Sequence, residues 1–298
     1  MGMARRRRTE RFHGSFRGVS IFVLICIAVI VCSCVWITFR RTLPEGTIQL
    51  YFVDVGQGDA SLVVTPEGSV LIDAGLSSSE ETLYHTVRKT GNTLSYLVIT
   101  HPHDDHIGGA VYILERMDVE HIVLPKDTSD IAEYAKFLLA AEAEGAQILY
   151  ADESLTFSVG EAEFTCLSPF TDTGDENENS AVFRLDFGRF SAIFTGDAGE
   201  ESEDLQLERY GSRRGGPLDA DILKVGHHGS GGSTTEEYLV AVTPYYAIIS
   251  CGENNAYGHP TKEVLKRLTD AGAVVLRTDE DGTVVLTVDA ESITVGGK

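Results

Sequence analysis

The amino-acid sequence predicts a mixed α/β (α+β) fold, an αββα sandwich of two β-rich layers enclosed by helices, preceded by an N-terminal transmembrane helix. Segments with strand patterns give way to segments with helix patterns twice along the chain, without a tandem repeat of fixed period. Residues 19–39 form an apolar stretch that contains no charge, Pro or Gly. The chain has 298 residues, 43% of them hydrophobic, which suffices for one large core and an appendage.

The predicted domain begins with strands, two of which are joined by a turn at Pro66, Glu67 and Gly68. Its first half contains strands at 48–54, 60–65, 69–72, 96–99 and 121–124, and helices at 80–89, 107–117 and 131–144. Its second half contains strands at 155–159, 163–167, 181–187, 191–194, 222–225, 247–249, 273–276, 283–288 and 292–295, and helices at 200–210, 235–240 and 261–271. The polar segment 172–179 is predicted to be a surface loop.

The N-terminus predicts a single membrane span. At helical rise, residues 19–39 are long enough to cross a bilayer. A cleaved signal peptide is the alternative, but the apolar stretch exceeds a usual signal core and no small-x-small cleavage site follows it. Six Arg precede the span and two follow it, which predicts a cytoplasmic tail at 1–18, a linker at 40–47 and an extracytoplasmic domain at 48–298. The expected location is therefore the cell membrane, in single-pass form.

The charge of the chain is divided unevenly. Residues 1–41 contain eight Arg and one Glu, a balance of +7, so that the remaining residues carry −28 of the total of −21. A body this acidic repels polyanions, which argues against broad, non-specific capture of nucleic acid. It leaves open a nuclease in which bound metal ions neutralise the phosphate locally.

A cluster of metal-ligating side chains follows the apolar strand at 96–99. Within six positions the sequence has His101, His103, Asp105 and His106, just before a predicted helix. Imidazoles and a carboxylate at one strand end are the ligands of zinc, manganese or iron. Their alternation lets neighbouring residues serve two metal ions.

These residues resemble the metal-binding motif of the metallo-β-lactamase superfamily. The segment 194–197, FTGD, ends a strand in Asp197, which the resemblance assigns as the ligand that bridges two metals. The segment 224–230, KVGHHGS, is similar to the late ligand motif of the superfamily. On that alignment His227 is the ligand, and His228 is either a supporting residue or merely its neighbour.

Within the superfamily, the sequence resembles the hydrolase domain of ComEC, the bacterial DNA-uptake channel family. Four segments in family style and order carry this likeness over about residues 48–288: 54–60 (DVGQGDA), 71–75 (LIDAG), 227–230 (HHGS) and 255–260 (NAYGHP). ComEC-type channels have many membrane spans, whereas one is predicted here. The chain is therefore expected to be a stand-alone, single-span relative and not itself the pore.

The resemblance implies two divalent metal ions, zinc or manganese. His101, His103 and Asp197 would hold one ion, and Asp105, His106, Asp197 and His227 the other. Many members supply a further His to the first ion, but this sequence has none between His121 and His227. Asn179 or water is the expected substitute, which makes that site less selective for zinc over manganese.

The remaining site residues follow from the same motifs. Asp105 is expected to orient a metal-bridging hydroxide, and His259 to hydrogen-bond the substrate or protonate a leaving group. Asp59 is interpreted as a residue that supports the metal ligands. Ser230 and Asn254 are candidates for polar contacts with the substrate, although loop capping explains each equally well. Asp54 and Asp73 are interpreted as turn formers or orienting groups.

The function predicted from these residues is metal-dependent hydrolysis of phosphodiesters outside the cytoplasm. DNA, nucleotides and phosphorylcholine-type esters are the substrate classes considered, and a small ester suits the acidic body better. A β-lactamase is disfavoured by the HHGS segment. The alternative function is an accessory binding protein of DNA uptake with little or no catalysis, against which the full ligand set argues. The sequence does not predict an oligomeric state.

Overall fold

The computed structural model describes residues 23–27, 29, 43–126, 129, 131–169 and 172–296. The chain separates into two compact units, Met1–Leu43 and Pro44–Lys298. In the first unit, the described residues 23–27 and 29 are helical, while the rest of the predicted span and the basic segment 1–18 lie outside the described residues. Among the described residues, no helix combines the length and the apolar character that a bilayer crossing requires. The transmembrane helix thus stays a prediction.

The second unit contains two sheets. The first has eight strands in the order β15-β14-β1-β2-β3-β4-β5-β6. It is antiparallel from β15 to β3 and parallel from β3 to β6. Its strands are β1 Ile48–Phe52, β2 Ser61–Val64, β3 Ser69–Ile72, β4 Thr93–Val98, β5 Asp118–Leu124, β6 Gln147–Tyr150, β14 Val284–Val288 and β15 Ile293–Val295.

The second sheet has seven strands in the order β13-β12-β11-β10-β9-β8-β7. It is antiparallel from β7 to β10 and parallel from β10 to β13. Its strands are β7 Thr156–Val159, β8 Ala162–Ser168, β9 Val182–Phe187, β10 Phe190–Phe194, β11 Ile222–Lys224, β12 Tyr246–Ile249 and β13 Val274–Arg277. Each sheet thus has one parallel half, and the loops that follow parallel strands emerge at one edge.

Helices connect the strands of the parallel halves. Those of the first half are α1 Glu80–Val87, α2 Asp104–Ile107, α3 Ala110–Leu114 and α4 Ala132–Glu144. Those of the second half are α5 Glu200–Tyr210, α6 Glu236–Val242, α7 Lys262–Asp270 and α8 Thr278–Asp281. Short 3₁₀ turns lie at Ser77–Ser79 and Gly226–Gly229. The last turn contains two of the histidines singled out in the sequence.

The main core lies between the two sheets. Phe52 of the first sheet stacks on Phe194 of the second, with ring centroids 6.0 Å apart, and both belong to one buried cluster with residues of both sheets. A second buried cluster lies where α6 and α7 cover the other face of the second sheet. The predicted mixed α/β fold with two sheets is therefore confirmed.

Three differences from the sequence-based expectation concern strand β6, helix α8 at Thr278–Asp281, which was not predicted, and the predicted helix 107–117. Strand β6 was not predicted, because its side chains are mostly exposed and show no apolar alternation. The predicted helix 107–117 is interrupted at Gly108 and Gly109. There the backbone forms tertiary hydrogen bonds instead, from Gly109 N to Gly75 O at 3.1 Å and from Ala74 N to His106 O at 2.6 Å. These bonds join the start of the helix to the loop after β3.

Candidate metal centre

Histidine and aspartate side chains from four strand ends meet at the edge where the parallel strands finish. Asp73 follows β3, His101 follows β4, Asp197 follows β10 and His228 follows β11. All four are buried, with at most 2% of each residue exposed. The two parallel halves therefore supply one polar cluster from segments far apart in sequence.

Three imidazoles in this cluster have a buried Nε2 atom without a hydrogen-bond partner: His101, His106 and His228. Their Nδ1 atoms, in contrast, are all engaged. Nδ1 of His106 donates to Asp73 Oδ2 at 2.8 Å, and Nδ1 of His228 donates to the Ser250 carbonyl at 3.0 Å. A buried ring nitrogen without a partner costs free energy. Three such nitrogens together form the donor set of a cation site.

Asp197 lies among the three unpaired nitrogens. Its carboxylate oxygens are 3.9 Å from Nε2 of His101, 3.3 Å from Nε2 of His106 and 3.5 Å from Nε2 of His228. Asp105 Oδ2 adds a contact of 3.3 Å to His228 Nε2. Ligand bonds of about 2.0–2.2 Å place neighbouring donor atoms about 3–3.5 Å apart, so the shorter spacings fit shared metal coordination.

The donor atoms divide into overlapping sets whose members all lie within 4.8 Å of one another. One set is His101, His106 and Asp197, and another is Asp105, His106 and His228. Asp59 joins Asp197 and His228 in a third set, and Asp73 and His106 in a fourth. The residues present thus fit one or two divalent ions bound by nitrogen and oxygen.

Opposite charges within the site shift the pKa values of one another. Burial alone would raise the pKa of Asp197, but His228 and His106 hold that pKa well below its ordinary value. Burial would lower the pKa of His106 and of His228, yet Asp197 raises both well above the ordinary histidine value. Protons therefore compete with a metal ion for both rings.

Asp59 is linked to a buried cation behind the cluster. Lys224 Nζ lies 2.7 Å from Asp59 Oδ2, and both residues are almost completely buried. Asp59 Oδ1 lies 3.3 Å from Nδ1 of His228. Burial by itself raises the pKa of Asp59, whereas Lys224 and then His228 bring it below the ordinary value. Asp59 is thus an anion in contact with a ring of the site.

Two glycines permit the close approaches that build this edge. Gly58 has φ +127°, and a Cβ there would lie 2.3 Å from the Asp105 carbonyl oxygen. Gly196 has φ +53°, and a Cβ there would lie 2.8 Å from Thr100 Oγ1. A side chain at either position would push apart loops that carry site residues. The glycines next to Asp59 and Asp197 in the sequence therefore have a steric cause.

His227 and His103 lie nearer to solvent than the central cluster. His227 Nε2 is 3.7 Å from Asp197 Oδ2, but its side chain is 34% exposed. His103 Nε2 lies 3.0 Å from Glu176 Oε2, with a side chain 35% exposed. His227 and His228 both have left-handed backbone angles, with φ of 46° and 54°, which is strained for residues with a Cβ. This turn directs His228 into the cluster and leaves His227 at its rim.

His259 lies beside His227, with ring centroids 5.8 Å apart. Asn255 holds its backbone from both sides, accepting from His259 N at 3.0 Å and donating to His259 O at 2.5 Å. Nδ1 of His259 is buried without a hydrogen-bond partner. Burial, and then the charges of His227 and His228, lower the pKa of His259. The ring of His259 thus lies at the rim of the cluster, beside His227.

The other predicted polar residues have local roles. Asn179 is buried, and its Oδ1 accepts from Thr173 N at 2.9 Å while its Nδ2 donates to Asp172 at 2.9 Å. Ser230 Oγ accepts from Gly232 N at 3.4 Å. Asn254 is exposed and donates to Glu253 at 3.2 Å. These contacts are compatible with loop capping for Ser230 and Asn254, and they engage both ends of the Asn179 amide within its own loop.

Sequence reasoning undervalued the residues that orient the rings. Asp73 was interpreted as a turn former or an orienting group, and it is the partner of His106. Ser180 Oγ lies 3.3 Å from His101 Nδ1 and accepts from Asp197 N at 3.2 Å, which no sequence motif indicated. Lys224 is the first residue of the KVGHHGS segment, three positions before His227. Its place in that segment was the one sequence signal for a role in the site.

Two sheets with imidazole and carboxylate donors at one shared edge are the architecture of a metal-dependent hydrolase class. The family model of the metallo-beta-lactamase superfamily matches residues 53–253. The chain therefore belongs to the metallo-beta-lactamase superfamily. The fold of this superfamily implies divalent metal ions.

Curated relatives confirm the resemblance to the ComEC family. The chain is 33% identical over 285 residues to ComE operon protein 3 of Bacillus subtilis, covering 89% of this chain and 36% of that protein. It is 32% identical over 270 residues to Recombination protein 2 of Haemophilus influenzae, covering 89% of this chain and 32% of that protein. The chain thus spans about a third of the length of these relatives.

Solved structures share the fold at low sequence identity. CmlA, a diiron beta-hydroxylase from Streptomyces venezuelae, matches with a TM-score of 0.54 and 15% identity over 83% of this chain and 55% of that chain. YhfI from Bacillus subtilis, a metallo-beta-lactamase fold protein, matches with a TM-score of 0.53 and 14% identity over 84% of this chain and 100% of that chain. At such identities the likeness concerns the fold alone.

Proposed function

We propose that this chain is a dinuclear metal-dependent phosphodiesterase, with DNA or a smaller phosphodiester as its substrate. The observation that carries the proposal is the convergence of three buried, unpaired Nε2 atoms on the carboxylate of Asp197. A merely structural cluster would leave these nitrogens paired. Relatives among competence proteins support a nucleic-acid substrate by analogy.

The residues divide into those that hold ions and those that face the substrate. Asp197, central and buried, would be the ligand shared by both ions. Bound divalent ions supply an acidified water molecule and stabilise charge on phosphoryl oxygens. Asp105, the more exposed carboxylate beside His228, accepts a hydrogen bond from the attacking water and orients it. His259 at the rim hydrogen-bonds the phosphate or protonates the leaving oxygen.

Both the net charge of the chain and its similarity to competence proteins bear on the choice of substrate class. A body that carries −28 outside the N-terminal segment repels a long polyanion, so a DNA strand would be held at the metal ions and not across a broad surface. Single phosphodiesters, including phosphorylcholine-type esters, meet less of this repulsion. Raised salt should therefore weaken activity on DNA little, or even improve it.

The test is a substrate panel for the purified full-length chain in detergent, loaded with zinc or with manganese. The panel contains single- and double-stranded DNA, bis-p-nitrophenyl phosphate, a phosphorylcholine ester and a cephalosporin. We expect metal-dependent hydrolysis of at least one phosphodiester, its loss in Asp197→Ala, and no turnover of the cephalosporin. Metal-loaded protein that binds DNA and cleaves nothing would instead support an accessory binding protein.

We further propose that the domain lies outside the cytoplasm, attached through residues 19–39. Support comes from the six Arg before this apolar stretch and the two after it. Protease added to intact protoplasts should digest the domain, while a cytoplasmic control protein survives. A protected domain, or one released with a new N-terminus near residue 42, contradicts the proposed topology.

A further inference from the structure

The loop 172–179 places a carboxylate against the outer part of the metal centre. Glu176 Oε2 lies 3.0 Å from Nε2 of His103, and the ring of His103 lies 4.7 Å from the ring of His101. Glu176 and His103 are each about one third exposed. A glutamate thus meets the one histidine of the segment 100–106 whose Nε2 is not among the buried, unpaired atoms.

This loop is held in shape by its own side chains. Asp175 Oδ1 accepts from Asn177 N at 2.9 Å and from Glu178 N at 3.3 Å. Asn179 ties the loop to Thr173 and Asp172 through both ends of its amide. The position of Glu176 at its tip is therefore fixed by a network that does not include Glu176 itself.

The loop is also attached to the metal centre on its far side. Glu178 accepts from Gly199 N at 3.2 Å and from Ser202 N at 2.8 Å, at the start of the helix that follows Asp197. Ser180 Oγ accepts from Asp197 N at 3.2 Å and lies 3.3 Å from Nδ1 of His101. The loop therefore keeps a set distance from the residues that hold an ion.

We propose that Glu176 is a metal ligand that completes the site of His101, His103 and Asp197. The inference rests on the metal centre proposed above and adds a ligand to it. Two donor atoms bound to one ion at about 2.0–2.2 Å are separated by about 3.0–3.5 Å, which the 3.0 Å from Glu176 to His103 matches. Asn179 is less suited to this role, because Thr173 and Asp172 engage both ends of its amide.

The competing explanation is a surface ion pair between Glu176 and a protonated His103. Such partly exposed pairs contribute little to stability and would not require the loop to be held on both sides. A ligand role for Glu176 would also supply a further metal donor from the segment between His121 and His227. No His occurs between His121 and His227, so a further donor from the intervening segment has to be an oxygen or a water.

A carboxylate in this position has a consequence for metal choice. Carboxylate oxygen suits manganese as well as zinc, whereas a further imidazole favours zinc. Glu176→Gln should weaken the binding of one ion and leave the binding of the other unchanged, since the site of Asp105, His106 and His228 does not include Glu176. Glu176→His should shift the preference of the first site towards zinc.

The experiment titrates the metal-free full-length chain in detergent with manganese, following free ion by electron paramagnetic resonance and heat by calorimetry. We expect two equivalents for the wild type, and a dissociation constant for one equivalent raised at least about 10-fold in Glu176→Gln. The matched control is Glu201→Gln, which removes an exposed glutamate whose charge acts on the neighbouring Glu178. It should bind as the wild type does.

Each outcome decides the proposal. Two wild-type-like equivalents in Glu176→Gln overturn it and leave the proposed metal centre intact. A wild type that binds no second equivalent overturns both together. A zinc-to-manganese affinity ratio that rises in Glu176→His, with thermal unfolding unchanged, supports the ligand role without reference to activity. An unchanged ratio contradicts it.

Discussion

Nδ1 of His106 donates a hydrogen bond of 2.8 Å to Oδ2 of Asp73, while Nε2 of the same ring lies 3.3 Å from Asp197 Oδ1. Asp73 is in turn fixed by Thr100, whose backbone N and Oγ1 both donate to it at 2.8 Å. The carboxylate thereby fixes the orientation of the ring, with Nε2 of His106 close to Asp197 Oδ1. Asp73 acts on the metal centre through His106.

The first prediction is that Asp73→Ala weakens divalent-metal binding about 10–100-fold, because His106 loses the partner that orients it. Competition with a chelating dye measures this. The matched control is Asp54→Ala, which removes an exposed strand-end carboxylate that accepts from Gly56 N. It should keep wild-type affinity, and equal affinities in all three proteins would show that Asp73 has no orienting role.

The second prediction separates the two adjacent histidines. His228 is 2% exposed, has an unpaired Nε2 and contacts both Asp105 and Asp197, whereas the side chain of His227 is 34% exposed. We expect His228→Ala to lose about one equivalent of metal and His227→Ala to retain both. The sequence alignment favoured His227 as the ligand. Metal analysis by mass spectrometry decides, and the reverse pattern would restore His227.

The sequence predicted which residues lie at the strand ends better than it predicted the direction in which individual side chains point. Asp105, His106 and Asp197 were recognised because their motifs follow apolar strands, and such motifs predict which edge of a sheet they occupy. The choice between His227 and His228 depends on two consecutive left-handed residues, which no propensity indicates.

Long-range partners were likewise beyond sequence reasoning. The Lys224–Asp59 pair joins residues 165 positions apart, and the Glu176–His103 contact joins residues 73 positions apart. Nothing local to either partner specifies the other, because tertiary packing alone brings the loops together. The prediction of a continuous helix over 107–117 failed for a similar reason, because Gly109 N and His106 O form backbone hydrogen bonds with the loop after β3.

The third prediction concerns the pH dependence of stability. Burial raises the pKa of Glu203 to about 7, despite hydrogen bonds from Thr235 and Thr234. Because this pKa lies above the unfolded value of 4.5, the folded state holds the proton more tightly than the unfolded state. The free energy of unfolding should thus fall as the pH rises from about 4.5 to about 7, and this contribution should level off above that range.

Glu203→Gln isolates the pH effect, since glutamine does not titrate. Its Oε1 can replace one of the two acceptor oxygens that bind Thr234 and Thr235, so the variant has a lower stability at every pH but no titration at this position. Between about pH 5 and pH 8, the wild type should lose roughly 2–3 kcal/mol more unfolding free energy than the variant. Urea denaturation of both proteins in the presence of a chelator measures the difference. Contributions from histidines elsewhere in the chain are common to both proteins and cancel. Parallel profiles would mean that Glu203 is ionised at all these pH values.

The last prediction is that Asp197→Ala and His259→Ala both reduce turnover but differ in metal content. Asp197 lies within 3.9 Å of Nε2 on His101, His106 and His228. Its loss removes the anion that the two proposed metal ions would share, and should abolish metal binding and activity together.

His259 lies at the rim, where its ring contacts His227 and its backbone is held by Asn255. As a donor to the substrate it should contribute about 10²–10⁴-fold to kcat, with nearly full metal content in His259→Ala. The loss should be smaller for a substrate with a good leaving group, which needs no proton. If His259→Ala loses a metal ion, it is a ligand, and if it keeps full activity on a poor leaving group, its role is structural.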